Sequence, residues 1–131
     1  MQSMIRMSQW PLHRGGRATP APTRFPKTTR AAIYLRCFPT DAYQMDAHQS
    51  ALHRYADSMG LTGPPVLLDN GATSTGPRPR LDLLTALVAD GLIDVVLIPG
   101  PWVFSLDDRE AQAVAARLTR AGCRIMELSR P

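Results

Sequence analysis

The chain has 131 residues, of which 44% are apolar and 20% are charged, a length and composition that suit one globular domain. Its formal net charge of +4 is unevenly distributed. Residues 1–30 hold six basic residues and no acidic residue, whereas residues 31–131 hold nine basic and eleven acidic residues. The part expected to fold is therefore slightly acidic, which weakens an inference of DNA binding from the overall charge alone.

Cysteine usage and hydropathy exclude several classes of protein. Cys37 and Cys123 stand in apolar stretches without a Cys-x-x-Cys pair, which favours reduced thiols and predicts no metal site and no cofactor. The apolar run Leu92–Phe104 is interrupted by Asp94 and two prolines and is shorter than the roughly 20 residues of a membrane span. The N-terminus lacks the apolar core of a signal peptide. We therefore expect a cytoplasmic protein without a membrane partner.

Residues 1–30 are predicted to form a disordered basic arm rich in arginine and proline. They contain four prolines and the pair Gly15–Gly16, with no apolar period of 2 or 3.6. Arginines without acidic partners attract a polyanion, so the arm is a candidate for weak contact with DNA phosphates. The alternative is that residues 1–30 are an unselected extension of the protein.

From Ala31 to Pro131, strands alternate with helices along the chain. The apolar patterns and their Pro and Gly boundaries predict a strand over Ala31–Phe38, a helix over Thr40–Met59, a strand over Val66–Asp69, a polar loop over Asn70–Pro77, a helix over Arg80–Ala89, a strand over Ile93–Ile98, a helix over Leu106–Ala121 and a strand over Cys123–Leu128. This alternation indicates a three-layer α/β domain, with a mostly parallel sheet of about four strands and helices on both faces. Sites in such sheets gather at the carboxyl ends of the strands, here Arg36–Asp41, Asp69–Arg80 and Pro99–Asp108.

Five segments stand in a recognisable order on these elements. They are Tyr34–Cys37, Met45–Ala56, Asp69–Gly71, Arg78–Leu84 and Gly91–Val96. Together they resemble the catalytic domain of the serine recombinases, the resolvase and invertase family. The resemblance covers about residues 31–131 and implies a resolvase-like fold and a link to DNA recombination.

The resemblance also implies roles for three arginines. In the family, the first strand reads Tyr-x-Arg-Val-Ser, and the serine hydroxyl attacks a DNA phosphate. Guanidinium groups stabilise the negative charge of such a transition state through paired hydrogen bonds. Arg36 matches the first-strand arginine and Arg78 matches the arginine before the second helix. With Arg80, they are the candidates for a residual phosphate site.

The other catalytic positions of the family are not matched, so no catalytic residue is assigned. The nucleophile position holds Phe38, or Pro39 if the alignment shifts by one, and neither offers a nucleophilic oxygen. Thr40 is the nearest residue with a hydroxyl, but it lies two residues after the position of the family's serine. The family motif Leu-Asp-Arg-Leu-x-Arg is replaced by the segment 101–106, and the charges at 107–109 fall on the following helix, where solvent-facing positions are expected. These losses predict a domain that cannot cleave DNA.

Individual residues near the predicted site have two interpretations each. Arg36 needs a partner, which is either Asp69 or Asp94, or else a phosphate. Arg78 and Arg80 are either solvated or phosphate-binding, and His48 is interpreted as a helix-surface residue rather than a base. The hydroxyls of Thr73, Ser74 and Thr75 resemble a phosphate-cradling turn but lack its glycine-lysine signature.

Trp102 and Phe104 replace charged residues of the family motif. They form either an apolar plug or partner-binding patch, or part of the core.

Several functions are consistent with these observations. The chain stops at Pro131, where active recombinases continue into a dimerisation helix and a DNA-binding region. The expected partners are therefore DNA, bound weakly through the arm, and a full-length recombinase or a second copy of the chain. The alternatives are a small α/β ligand-binding module or an enzyme of unrelated chemistry, and an expressed relic. The intact apolar runs indicate that the protein folds in any of these cases.

Overall fold

The computed structural model of the chain describes residues 6–10, 25–37, 42–70 and 77–129. In chain order these ranges form β1 (Arg6–Trp10), β2 (Ala31–Cys37), α1 (Ala42–Ser58), β3 (Val66–Asn70), α2 (Pro79–Ala89), β4 (Val95–Ile98), a single 3-10 turn (Pro101–Val103), α3 (Asp108–Arg120) and β5 (Arg124–Ser129). No α-helix within these ranges is long and apolar enough to cross a membrane.

The strands form one sheet in the order β1-β5-β4-β2-β3. The four strands from β2 to β5 are parallel, and β1 pairs with β5 in the antiparallel direction. The four predicted strands and three predicted helices are confirmed, as is the mostly parallel α/β fold. Because β2 to β5 run in the same direction, their carboxyl ends share one edge of the sheet.

Helices cover both faces of the sheet. On one face, Leu52 and Ala56 of α1, together with Met59 directly after the helix, are buried in one cluster with Ile33 and Leu97. Helices α2 and α3 cover the other face, where fully or almost fully buried residues include Leu84, Val88, Val96, Ala115, Leu118 and Ile125. Burial of a side chain of this size stabilises the fold by about 1.5–3 kcal/mol, so these two cores fix the positions of the strand ends.

The structure differs from the sequence prediction within residues 1–30. Residues 6–10 form strand β1, with Arg6 opposite Ser129 and Trp10 opposite Ile125. Phe25 is buried in the core below α1, and its N–H donates to the carbonyl of Met59 over 2.7 Å. Disorder is therefore the wrong prediction for residues 6–10 and 25–30, and residues 1–5 and 11–24 lie outside the described ranges.

Local hydrogen bonds set the ends of α3. The predicted start at Leu106 is two residues early, because Asp107 is the N-cap. Its carboxylate accepts hydrogen bonds from the N–H groups of Arg109 and Glu110, over 2.8 and 3.3 Å. After the helix, Gly122 adopts a φ of +102°, a conformation that glycine tolerates without strain and that turns the chain into β5.

Candidate functional site

The carboxyl edge of the sheet brings Arg36 and Asp69 together. They are direct partners in the parallel register of β2 and β3, and both are buried. Burial lowers the pKa of Arg36, and the nearby charge of Arg78 lowers it further, whereas Tyr34 and Asp69 raise it. The strand ends thus hold two arginines close enough to repel each other, with one carboxylate beside them.

Asp69 anchors the start of α2. Its Oδ1 accepts from the N–H of Arg80 over 2.9 Å, and its Oδ2 accepts from the N–H of Leu81 over 2.9 Å and from the hydroxyl of Tyr34 over 2.8 Å. A carboxylate at a helix N-terminus satisfies free N–H groups and interacts favourably with the helix dipole. Burial and the hydrogen bond to Asp69 raise the pKa of Tyr34 above its ordinary value. Asp69 is therefore a structural carboxylate that links β2, β3 and α2.

Of the two acidic partners predicted for Arg36, the structure places only Asp69 beside it. Asp94 precedes β4 and therefore lies at the opposite edge of the sheet. There it accepts a hydrogen bond from the N–H of Arg30 over 2.9 Å, and the Arg30 side chain approaches it to 3.6 Å.

The three candidate arginines differ in their access to a ligand. Arg36 is fully buried, Arg78 is half-buried and Arg80 is exposed. The guanidinium of Arg78 donates to the carbonyl of Phe104, which ties the start of α2 to the segment after β4. Only Arg80 and part of Arg78 are therefore accessible from solvent, while Arg36 is enclosed by the protein.

Phe104 and Trp102 have separate roles. Phe104 is fully buried in the core, and its ring stacks on Tyr34 with centroids 6.0 Å apart. Trp102 is half-buried and packs against this core. It also lies beside His48, whose ring centroid is 5.7 Å from that of Trp102. His48 is accordingly half-buried rather than fully exposed on the surface of α1.

A cleft of about 660 Å³, which we call the tryptophan cleft, opens beyond the ends of β4 and β5. Its lining includes Ala47, His48, Arg54, Gly100, Trp102 and Glu127. Burial raises the pKa of the Glu127 carboxyl to about 7. A carboxyl of this kind exchanges its proton near neutral pH and is both a donor and an acceptor of hydrogen bonds when protonated.

Sequence reasoning did not find this cleft as a site. One signal was present, because Glu127 is the only acidic residue in the apolar final strand. The other residues that line the cleft come from α1 and from the segment after β4. These two segments are distant in sequence and meet only in the folded protein.

Several predicted positions lie outside the described residues. These are Phe38, Pro39 and Thr40 at the nucleophile position and Thr73, Ser74 and Thr75 in the polar loop. Asp107, Asp108 and Arg109 are exposed at the start of α3, where the sequence placed them. Within the described ranges, no group of three His, Cys, Asp or Glu residues is arranged to hold a metal ion.

Comparisons with known proteins identify the fold. No protein-family model matches the chain, and no curated protein matches it. Several solved structures are similar, among them two catalytic domains. The N-terminal catalytic domain of TP901-1 integrase superposes with a TM-score of 0.62 at 22% sequence identity, over 74% of this chain and 75% of that one. The C-terminal catalytic domain of ISC1926 TnpA, an IS607-like serine recombinase, superposes with a TM-score of 0.63 at 25% identity, over 73% of this chain and 67% of that one. The parallel α/β fold is therefore similar to that of serine recombinase catalytic domains, and the resemblance indicated by the sequence is confirmed.

Proposed function

We propose that this chain is a recombinase-like domain that contacts DNA without cleaving it. The observation that carries the proposal is the enclosure of Arg36. An arginine that stabilises a reacting phosphate must touch it, yet Arg36 is fully buried beside Asp69 and Tyr34. The resemblance puts Phe38 or Pro39 at the position of the family's serine. Together with the burial of Arg36, this supports a structural role for Arg36 and a loss of strand cleavage.

Weak attraction of the DNA backbone is the activity that the remaining groups support. Arg80 is exposed at the start of α2, and Arg78 is half-buried next to it. Contacts from a few arginines to phosphates give binding that has little sequence preference and falls steeply with salt. We propose the cytoplasm as the location, in keeping with the reduced thiols expected of Cys37 and Cys123.

Incubation with supercoiled plasmid tests the loss of cleavage. We expect no nicked plasmid and no covalent protein–DNA adduct, with an active serine recombinase as the positive control. Thr40→Ala is the matched variant, since Thr40 is the hydroxyl nearest to the aligned nucleophile position. An adduct that forms with the unaltered chain and disappears in this variant would show that Thr40 is a displaced nucleophile, and the proposal would be wrong.

A small-ligand module is the second candidate function. The observation that favours it is the tryptophan cleft, whose volume of about 660 Å³ lies within the range of roughly 300–1,000 Å³ typical of ligand sites.

A further inference from the structure

The tryptophan cleft has a preformed aromatic wall. A Cβ atom at Gly100 would lie 2.8 Å from Nε1 and 2.9 Å from Cδ1 of Trp102, closer than real Cβ contacts allow. The absence of a side chain at Gly100 therefore lets the indole lie against the backbone at this point. His48 contacts the same indole, so the ring is held between the β4 end and α1.

Helix α1 supplies the opposite wall. Ala47, Ala51 and Arg54 line the cleft together, because positions separated by three or four residues share one helix face. The two alanines are short and leave room in front of the indole. Arg54 is exposed, and its guanidinium is able to turn toward an anion at the mouth of the cleft.

The polar groups of the cleft restrict the chemistry of its ligand. Arg54 disfavours a cationic ligand, because like charges repel in a partly enclosed site. A purely apolar ligand is disfavoured as well, since it would bury the carboxyl of Glu127 without a hydrogen-bond partner. A planar aromatic ligand with a polar edge and a negative group offers a contact to each of Trp102, Glu127 and Arg54.

We propose that the tryptophan cleft binds a nucleoside monophosphate unit, with the base against Trp102, its polar edge toward Glu127 and its phosphate toward Arg54. Base–aromatic stacking contributes about 1–3 kcal/mol per base. Near neutral pH, the carboxyl of Glu127 exists in both protonation states, and each state pairs with a different base edge. The unit is either a free nucleotide or an unpaired nucleotide of a single strand.

This inference is independent of the proposed contact with duplex DNA. A mononucleotide has no duplex backbone, and none of the three residues assigned to it is one of the candidate arginines Arg36, Arg78 and Arg80. Failure of duplex binding therefore leaves the inference intact, and failure of nucleotide binding leaves the proposed function intact.

Fluorescence of Trp102 tests the inference. Trp10→Phe removes the other tryptophan, so that the remaining emission reports on the cleft. We expect adenosine monophosphate to quench this emission saturably, and ribose 5-phosphate, which lacks the base, to leave it unchanged. A short single-stranded oligonucleotide is titrated in parallel, and the tighter of the two ligands identifies the source of the nucleotide unit.

Three variants complete the test. Arg54→Ala is expected to weaken adenosine monophosphate about tenfold, the loss of one charge-assisted hydrogen bond, and to leave adenosine itself unaffected. Arg109→Ala, an exposed arginine on α3, is the matched control and is expected to bind normally. Ala51→Leu fills the cleft and should abolish quenching while the cooperative thermal transition is retained.

Any of four results would overturn the inference. They are no saturable quenching, equal binding of ribose 5-phosphate, unchanged affinity in both Arg54→Ala and Ala51→Leu, and tighter binding of an arginine amide than of adenosine monophosphate.

Discussion

Arg36 and Asp69 show how single residues hold the strand ends in place. A charged side chain taken wholly out of water loses several kcal/mol of hydration unless opposite charge or hydrogen bonds replace it. In this protein, Asp69 lies directly opposite Arg36 in the sheet and also binds the start of α2. Because Asp69 also accepts hydrogen bonds from two N–H groups of α2 and from the hydroxyl of Tyr34, its removal would disturb the junction of β2, β3 and α2, and we expect Asp69 to be needed for stability.

Glu127 makes the stability of the protein depend on pH. Its carboxyl has a pKa of about 7 in the folded chain against 4.5 ordinarily. Between these values the folded state binds more protons than the unfolded state, so the free energy of unfolding falls as pH rises. We expect Glu127→Gln to remove this component, about 1–2 kcal/mol after allowance for solvent screening. Denaturant unfolding at a series of pH values between about 4.5 and about 7 measures it.

The control for this experiment is Glu110→Gln, since Glu110 is the other glutamate of the chain. Glu110 is exposed at the start of α3 and accepts a hydrogen bond from Ser105 over 2.9 Å. Its replacement controls for the general effect of changing a glutamate to glutamine. If Glu127→Gln and the unaltered chain gave parallel pH profiles, the carboxyl of Glu127 would not titrate in this range.

The sequence identified some of these residues and missed others, for physical reasons. Arg36 was identified because a charged side chain in an apolar strand needs a partner. The sequence could not choose between Asp69 and Asp94 as that partner, because only the folded sheet places them at opposite edges. Glu127 acquires its unusual pKa only from burial, which depends on neighbours from other elements. The residues of the tryptophan cleft are remote along the chain, so no spacing rule connects them.

At the scale of elements, the apolar runs and the Pro and Gly residues between them predicted four parallel strands and three helices, with boundaries correct to within a few residues. These elements are encoded locally, by a strand period or helix period that ends at Pro or Gly. Strand β1 was missed because Arg-Met-Ser-Gln-Trp has no clear apolar pattern. Its conformation comes from pairing with β5, a partner at the other end of the chain.

Helix α3 depends on its cap. Asp107 accepts hydrogen bonds from the N–H groups of Arg109 and Glu110, and removal of such a cap costs about 1 kcal/mol. We therefore expect Asp107→Ala to lower the free energy of unfolding by about that amount, measured by denaturant titration. The matched control is Asp108→Ala in the first helical turn, which removes only the interaction with the helix dipole, a few tenths of a kcal/mol. Equal decreases in the two variants would contradict the assignment of the cap.

At the scale of the whole molecule, charge is concentrated at the N-terminal end. Residues 1–30 contain six basic residues and no acidic residue, while the rest of the chain is slightly acidic. We expect replacement of Arg14, Arg17 and Arg24 by alanine to weaken duplex binding. The slope of log affinity against log salt should also become shallower, by up to about 0.9 for each DNA phosphate that the protein no longer neutralises. Fluorescence anisotropy across a salt series measures both quantities.

Point substitutions suit this test better than removal of residues 1–30. Such a truncation would also delete strand β1 and the core residue Phe25, so a loss of binding would be mixed with a loss of stability. The matched control replaces three exposed arginines of α3, Arg109, Arg117 and Arg120, with the same change in net charge. If this control weakened binding as much as the arm variant did, a general charge effect rather than the arm would explain the affinity.

Strand β1 also sets an order of events in folding. Its pairing of Arg6 with Ser129 closes almost the entire chain into one loop. Contacts of such long sequence separation form late, because closing a long loop costs conformational entropy. We expect β5 to pair with β4 before β1 joins it, because β4 is much nearer to β5 in the sequence. During each folding cycle, β5 is therefore an open edge for a time, and open edges pair with strands of other molecules. We therefore expect slow pairing of residues 6–10 with β5 to favour association between newly made chains.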